Sequence, residues 1–464
     1  MSGSLAGLVY LQFLYLAIGA GLLQLLGLVG WRKLAGLRVG LAYVAGVAAA
    51  GILAAELALA RISLGPIELT LLALVVCVTA YLRSPRSAPA DGAKRELLSF
   101  APLAALGVLL AYAVVAVGRR PLLEFDGWAI WGMKARALYQ FGGTGSPVFT
   151  SDAYPPLQHP LLFPSLEAVG FRAMGAFDPA LFHVQLVLLA AGFSLALVEL
   201  LRPSVPLLLA TLVTLAIVSA TATIEQLSTA LADVPLAFFV ALGVVGLARW
   251  LDTGDTPALG CAALFLGAAT LTKSEGTLFA LAAALALLGT LAATDRARLG
   301  RAVLALLAVA AILAPWRLYV AAHQLPLAEY RLGDAVSPGY LSGHADRVGP
   351  AASGLLERLA DERFGFLLAI ILLGLAAALL SRRYWLAAFA GAWLALSFLG
   401  LLLIYWISDL PVDLALVWSG DRTVTSIVLG GAALAPLLAA PAWRELSAAA
   451  SEKRRTRASA RPST

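Results

Sequence analysis

From Met1 to Trp31 the chain carries no charged side chain, and apolar runs of this kind recur along most of its length. In lipid, backbone polar groups must be satisfied within the segment. An apolar run of about 20 residues therefore implies a spanning helix, whereas alternating apolar and polar residues imply a barrel strand. The runs here are continuous and predict helices. They fall near 5–30, 38–60, 64–82, 98–118, 181–201, 204–222, 231–250, 257–272, 277–293, 302–321, 365–381, 384–407 and 423–441. Residues are 61% hydrophobic and 13% charged, against about 25% charged in soluble domains. That balance excludes both an ordinary soluble protein and a disordered chain. The expected fold class is an all-α membrane protein of about 13 transmembrane helices.

Orientation follows from the basic residues, which gather in cytoplasmic loops. With the N-terminus outside, 20 of the 33 Lys and Arg residues fall on the cytoplasmic side, including Arg32, Lys33, Arg83, Arg86, Arg382 and Arg383. An odd number of spans puts the C-terminus inside. The net charge of +6 thus reports topology and gives no support to a nucleic-acid partner. The first basic residue is Arg32, so no charged signal-peptide start precedes the first run, which is kept as a span. Cys77 and Cys261 lie within apolar runs, without metal-ligand spacing.

The unusual polar residues collect on the opposite face, in long segments 119–180 and 322–364 and short ones at 223–230, 273–276 and 408–422. The first outer loop reads EFDGWAIWGMKARALYQFGG. Glu124 and Asp126 form an acid-x-acid pair just after a span, and Asp126 is placed to cap a helix over 127–141. Trp128, Trp131, Ala135 and Leu138 follow at helical spacing, which predicts an amphipathic helix lying on the outer surface. A carboxylate there suits a general base on a hydroxyl, or a divalent metal beside a phosphate. The same pattern also fits a capping Asp with interface aromatics.

The segment SDAYPPLQHP forces an extended path, with Tyr154, His159 and the nearby Lys134 as candidates to line a site. Asp233 opens a span in ADVPLAFF, and Glu225 precedes it in the outer turn. An ionisable residue at that depth suggests function, though Asp233 would also serve as a helix cap. The TKSEG turn supplies Lys273, a point charge suited to phosphate, with Glu275 and Gly276 shaping the turn. SGDRTV supplies Arg422, a planar fork for phosphate, or else an Asp421–Arg422 surface pair. Loop 322–364, with Tyr330, Arg331, Tyr340, His344 and Arg347, is placed to act as a lid.

Taken in order, EFDGWAIWGMKARALYQFGG, DAYPPLQHP, ADVPLAFF, LTKSEGTLF and SGDRTV resemble the membrane-embedded glycosyltransferases of the GT-C fold. The resemblance is nearest to the family 39 branch of protein O-mannosyltransferases and aminoarabinose transferases, and covers roughly residues 98–441. It implies transfer of a sugar from a polyprenyl-phosphate donor to an acceptor outside the cytoplasmic membrane. It further implies Asp126 as base with Glu124 beside it, Lys273 and Arg422 on the donor phosphate, and Asp233, Glu225 or Glu275 as a second acid or positioning group. A divalent metal would fall to Glu124 and Asp126; no cofactor is otherwise implied, and the acceptor is left open. In the family's usual arrangement the acidic loop follows the first span, whereas here it follows the fourth. Residues 1–97 would then be an added three-helix module and 442–464 a disordered, basic cytoplasmic tail. The rival expectation is a transporter or lipid flippase, which predicts polar residues near the midplane of the helices rather than at one rim.

Overall fold

The computed structural model describes residues 2–28, 36–83, 100–117, 121–151, 157–325, 331 and 333–459. Among them there is no β-strand. The N-terminal part holds α1 (Ser2–Leu25), α2 (Leu37–Leu59), α3 (Pro66–Leu82) and α4 (Ala101–Val117). The segment 119–180 contains α5 (Met133–Phe141) and α6 (Leu162–Met174). Then come α7 (Pro179–Leu201), α8 (Leu207–Ser219), α9 (Thr221–Leu227), α10 (Asp233–Thr253), α11 (Thr256–Thr272), α12 (Ser274–Thr294) and α13 (Leu299–Ala322). The described part of the segment 322–364 holds α14 (Pro338–Gly343) and α15 (Val348–Leu359). The chain ends with α16 (Leu367–Leu380), α17 (Tyr384–Trp406), α18 (Val412–Ala415), α19 (Asp421–Thr423) and α20 (Thr425–Ser459).

Among the described residues each of the thirteen apolar runs carries helix, although the run 204–222 is broken at Ala220 into α8 and α9, bent by 59°. Among the described residues, eight helices are long and apolar enough to cross a membrane, or ten if two bent pairs each count as one span. The shorter ones include α3, α4 and α11; 17 residues rise only about 25 Å, less than a typical hydrocarbon core. Local signals explain the ends. Pro66 and Pro179 sit in the first turns of α3 and α7, where a missing N–H does no harm. Asp178 accepts from the Ala180 N–H, and Glu68 from the Gly65 N–H. Gly142 and Gly254 close α5 and α10 with φ of 80° and 73°, a backbone that a Cβ would oppose. The basic tail departs from expectation: α20 continues through Ser459, so most of 442–464 extends the last span as helix.

At the centre, α10 is buried on nearly every side. Phe238 stacks on Phe193 of α7 at 4.0 Å, and Phe239 lies along Phe265 of α11 at 6.5 Å. The outer helices show the reverse. Leu71 and Val75 of α3, and Leu304, Leu307 and Leu318 of α13, point away from the protein. Apolar side chains arranged this way suit contact with lipid tails rather than water.

Helices α1 and α2 cross with almost no gap. A Cβ on Gly46 would lie 1.7 Å from the Tyr15 carbonyl oxygen, and one on Gly19 would lie 1.7 Å from that of Ala42. Small residues at such crossings let backbones approach where lipid provides no hydrophobic drive. The same two helices pack on α6 and α7, through Gly7 against Ala173 and Gly40 against Leu195. Gly46→Leu is expected to force α1 from α2, at a cost of about 1–3 kcal/mol. Thermal unfolding of the detergent-solubilised protein should show a lowered midpoint. Gly391→Ala, where a Cβ meets nothing within 4 Å, should leave the midpoint unchanged or slightly raised.

Candidate functional site

The buried Asp233, first residue of α10, meets Lys273, the single residue between α11 and α12. The Lys273 ammonium donates to Asp233 Oδ1 at 2.8 Å and lies 2.9 Å from Glu275 Oε1. Gly276 permits this turn: a Cβ there would be 1.9 Å from the Ala269 carbonyl oxygen. Burial alone would lower the Lys273 pKa, but the carboxylates of Asp233 and Glu275 outweigh it and raise it above the usual lysine value. Lys273 is therefore a fixed cation.

Arg422 extends the chain of charges. Its Nη1 lies 2.5 Å from Asp126 Oδ2 and 3.9 Å from Asp233 Oδ2, while its Nη2 donates to the Trp418 carbonyl. Asp126, Arg422, Asp233, Lys273 and Glu275 thus form one network, joined from four separate stretches of sequence. Asp233 Oδ2 and Glu275 Oε2 are buried and accept no hydrogen bond among the described residues. Buried acceptors left this way are costly.

Both ends of the Asp126–Arg422 pair are carried by π-helical turns. One spans Asp126–Gly132 and leads into α5; the other spans Leu416–Gly420 and leads into α19. Such turns are rare and frequent at functional sites. The first nestles against 229–230, where a Cβ on Gly127 would lie 3.1 Å from the Thr229 carbonyl oxygen. Ala230 itself has φ of 52°, a left-handed conformation that costs a non-glycine residue about 1–2 kcal/mol. Strain of this kind, three residues before Asp233, is held by the surrounding packing.

The remaining candidates separate. Asp126 makes no capping hydrogen bond; its carboxylate goes to Arg422. Glu124 is half-buried just ahead of the turn, its carbonyl accepting from the Trp128 N–H. Lys134 is completely buried rather than lining an open site, and its ammonium donates to the carbonyls of Leu157 and His159. His159 packs on Trp131 at 5.2 Å, with Nδ1 3.4 Å from Ser274 Oγ. Burial first, then the nearby charges of Lys273, Lys134 and Arg422, push its pKa well down and hold the imidazole neutral. Glu225 stands apart from the network, 3.6 Å from Arg363. Tyr154 and Tyr330 lie outside the described residues. The outer helix is also less superficial than expected: Trp131, Ala135 and Leu138 are buried in the protein, and Trp128 is 52% exposed. Nor do Asp421 and Arg422 pair with each other.

Asp421 instead belongs to a second, more exposed set of charges that the sequence reading did not single out. It meets Arg363 at 2.7 Å and Arg358 at 3.3 Å, and Arg363 also holds Asp361 at 3.0 Å. The charge-dense stretch LLERLADERF ahead of α16 was its signal. Tyr405 supports the second π turn from α17, its hydroxyl 2.8 Å from Ser419 and 3.2 Å from Thr423. The described part of segment 322–364 is tied to the turn after α17 at Arg347, whose guanidinium donates to the Ser408 carbonyl. A metal on Glu124 and Asp126 does not fit this donor set. Asp126 is committed to Arg422, and no group of three or more His, Cys, Asp or Glu among the described residues is placed to hold one. No family model matches the chain, and neither does any curated protein or solved structure.

Burial brings the Lys134 pKa down from 10.5 to about 7. Between those values the unfolded chain binds a proton that the folded chain does not, so stability rises with pH across that window. The thermal midpoint is expected to climb from pH 7 to pH 9, as this group adds at most about 1.4 kcal/mol of stability per pH unit. Lys134→Met should flatten the climb; an unchanged slope in that variant would show that Lys134 is not its source.

Proposed function

We propose that this chain is a glycosyltransferase that moves a sugar from a polyprenyl-phosphate donor to an acceptor hydroxyl on the outer face of the cytoplasmic membrane. The observation that carries the reading is the convergence of Asp126, Arg422, Asp233, Lys273 and Glu275 on one partly buried network. These are the residues that a GT-C-like resemblance assigns to base, phosphate and positioning roles. The fold is then GT-C-like, with the N-terminus outside, the C-terminus cytoplasmic and residues 1–97 as an added module.

Each group has a task in this chemistry. Asp126 takes the proton of the acceptor hydroxyl. The acceptor oxygen forms a bond to the anomeric carbon as the bond to the phosphate oxygen breaks. The electron pair leaves on the lipid phosphate, and the configuration inverts. Arg422 and Lys273 stabilise the charge that grows on that phosphate. Asp233 Oδ2 and Glu275 Oε2, which lack donors, accept from hydroxyls of the sugar. Phe125 and Trp128 on one π turn, with Val417 and Trp418 on the other, are exposed beside the network and suit an isoprenoid tail arriving from lipid. The rival transport reading gains nothing from this arrangement, because the ion pairs join the ends of helices rather than their middles.

The test is transfer by the purified full-length protein from a polyprenyl-phosphate sugar, scored over a panel of hydroxyl acceptors. Asp126→Asn is expected to lower the rate about 10²–10⁴-fold, the usual worth of a general base. Arg422→Gln should raise the donor KM as well. Full transfer by the Asp126→Asn protein would remove Asp126 from catalysis and overturn the assignment.

A further inference from the structure

The helical rod that carries Asp126 is held at its head, its middle and its foot. The π turn Asp126–Gly132 runs without a break into α5, and the rod ends at Phe141, about 24 Å from its start at 1.5 Å per residue. The head is the Asp126–Arg422 pair. Near the middle, Lys134 donates to the Leu157 and His159 carbonyls. The foot rests on the turn between α2 and α3, in the N-terminal helices that the transfer chemistry leaves without a task.

Several contacts build that foot. Arg172, in the last turn of α6, donates from one guanidinium nitrogen to the Leu64 carbonyl at 2.9 Å and from the other to the Leu138 carbonyl. One planar fork thus bridges the α2–α3 turn and α5. Thr144 donates twice to the Ala58 carbonyl, from its N–H at 3.0 Å and its hydroxyl at 3.3 Å. Gly143 lets the two backbones touch, since a Cβ there would lie 2.5 Å from Arg61 Cα. Arg61 has φ of 59°, a left-handed conformation that a side chain opposes and that surrounding contacts must hold. Tyr139 meets Phe171 of α6 edge-on at 6.0 Å. In turn α6 is seated on α2, where a Cβ on Gly51 would lie 2.9 Å from Leu162 Cγ. A rod pinned near its middle passes a shift at one end to the other. We propose that Arg172 is a positioning residue: through α5 it fixes Asp126 relative to Arg422, and α1–α3 are the seat it works against. The task of Asp126 rests on the transfer reading; the seat does not.

The test uses the full-length detergent-solubilised protein with Cys77 and Cys261 replaced by Ala, assayed well below its thermal midpoint, where lost stability alone leaves kcat unmoved. Arg172→Met is expected to lower kcat about 10²-fold, the scale of a 1 Å misplacement. The donor KM should change little, because Lys273 and Arg422 are carried by other elements. Gly143→Ala, which presses on Arg61 from the other side, should act in the same direction. A Cβ on Gly142 would lie 3.5 Å from Ser63 Cβ, within disulfide range. Adding Ser63→Cys and Gly142→Cys to Arg172→Met should therefore make kcat redox-dependent, recovered on oxidation and lost on reduction. Full kcat in Arg172→Met, or a disulfide that forms without recovery, overturns the proposal. A second readout needs no donor. Nitroxides on Trp128→Cys and Leu281→Cys, both exposed positions, report the head of the rod against α12 by double electron–electron resonance. Arg172→Met should broaden that distance distribution, and an unchanged distribution overturns the proposal whether or not transfer is seen. A broadened distribution in a protein that transfers no sugar counts against the transfer reading and leaves the seat standing.

Discussion

Asp233 and Lys273 are both buried, and a charge taken out of water is costly unless it is paired. Removing one partner of such a pair typically costs about 3–5 kcal/mol, because the other is left uncompensated. The pair therefore fixes the head of α10 against the α11–α12 turn, and the close approach at Gly276 makes that possible. Arg422 then needs an anion on its far side, and Asp126 supplies it. In this way one buried contact fixes where the segment that follows α4 and the turn that follows α17 must meet. The aromatic stacking of α10 on α7 and α11 keeps the anchor in place without polar help from the lipid side.

The π-helical turns explain a difference between pattern and structure. At 3.6 residues per turn, Trp128, Trp131, Ala135 and Leu138 share one face and read as a single stripe. A π turn bonds i to i+5 and shifts the register of everything before it. The result is that Trp128 points outward, while Trp131 is 1% exposed and packs on His159 and Phe163. The same shift turns the Asp126 carboxylate away from a capping geometry and towards Arg422. Periodicity cannot reveal this, because the inserted residue leaves no compositional trace.

Other features were open to sequence reasoning for a physical reason. Apolar runs are helical because lipid offers the backbone no alternative, so every run carries helix among the described residues even where length alone does not establish a span. Charges on one rim were recognisable as a group because the loops alternate sides. Which cation meets which anion was not, since Asp126 and Arg422 are 296 positions apart and any outer acid was an eligible partner. Asp421 illustrates the ambiguity: its neighbour in sequence is Arg422, yet its partners are Arg358 and Arg363. The partners of Lys134 were hidden for a related reason. A lysine beside aromatic residues reads as a solvated or ligand-facing charge, and nothing local reveals that two carbonyls 23 and 25 residues away will receive its protons.

The charge balance of the network gives the proposed chemistry its order of events. Three carboxylates, Asp126, Asp233 and Glu275, share two cations, Lys273 and Arg422. Lys273 is held from two sides and has little freedom to respond. Arg422 is less buried and sits at the edge, so it is the cation that an arriving phosphate can recruit. Recruitment would draw the guanidinium from Asp126 and leave that carboxylate without its counter-charge. The oxygen that now accepts from Arg422 would then be open to a hydroxyl. On the proposed reading, donor binding therefore switches Asp126 on: before the donor arrives the acid is held by Arg422, and afterwards it is available to the acceptor proton. Such a linkage would limit abstraction of that proton to a site already loaded with donor, using no element beyond the ion pair itself.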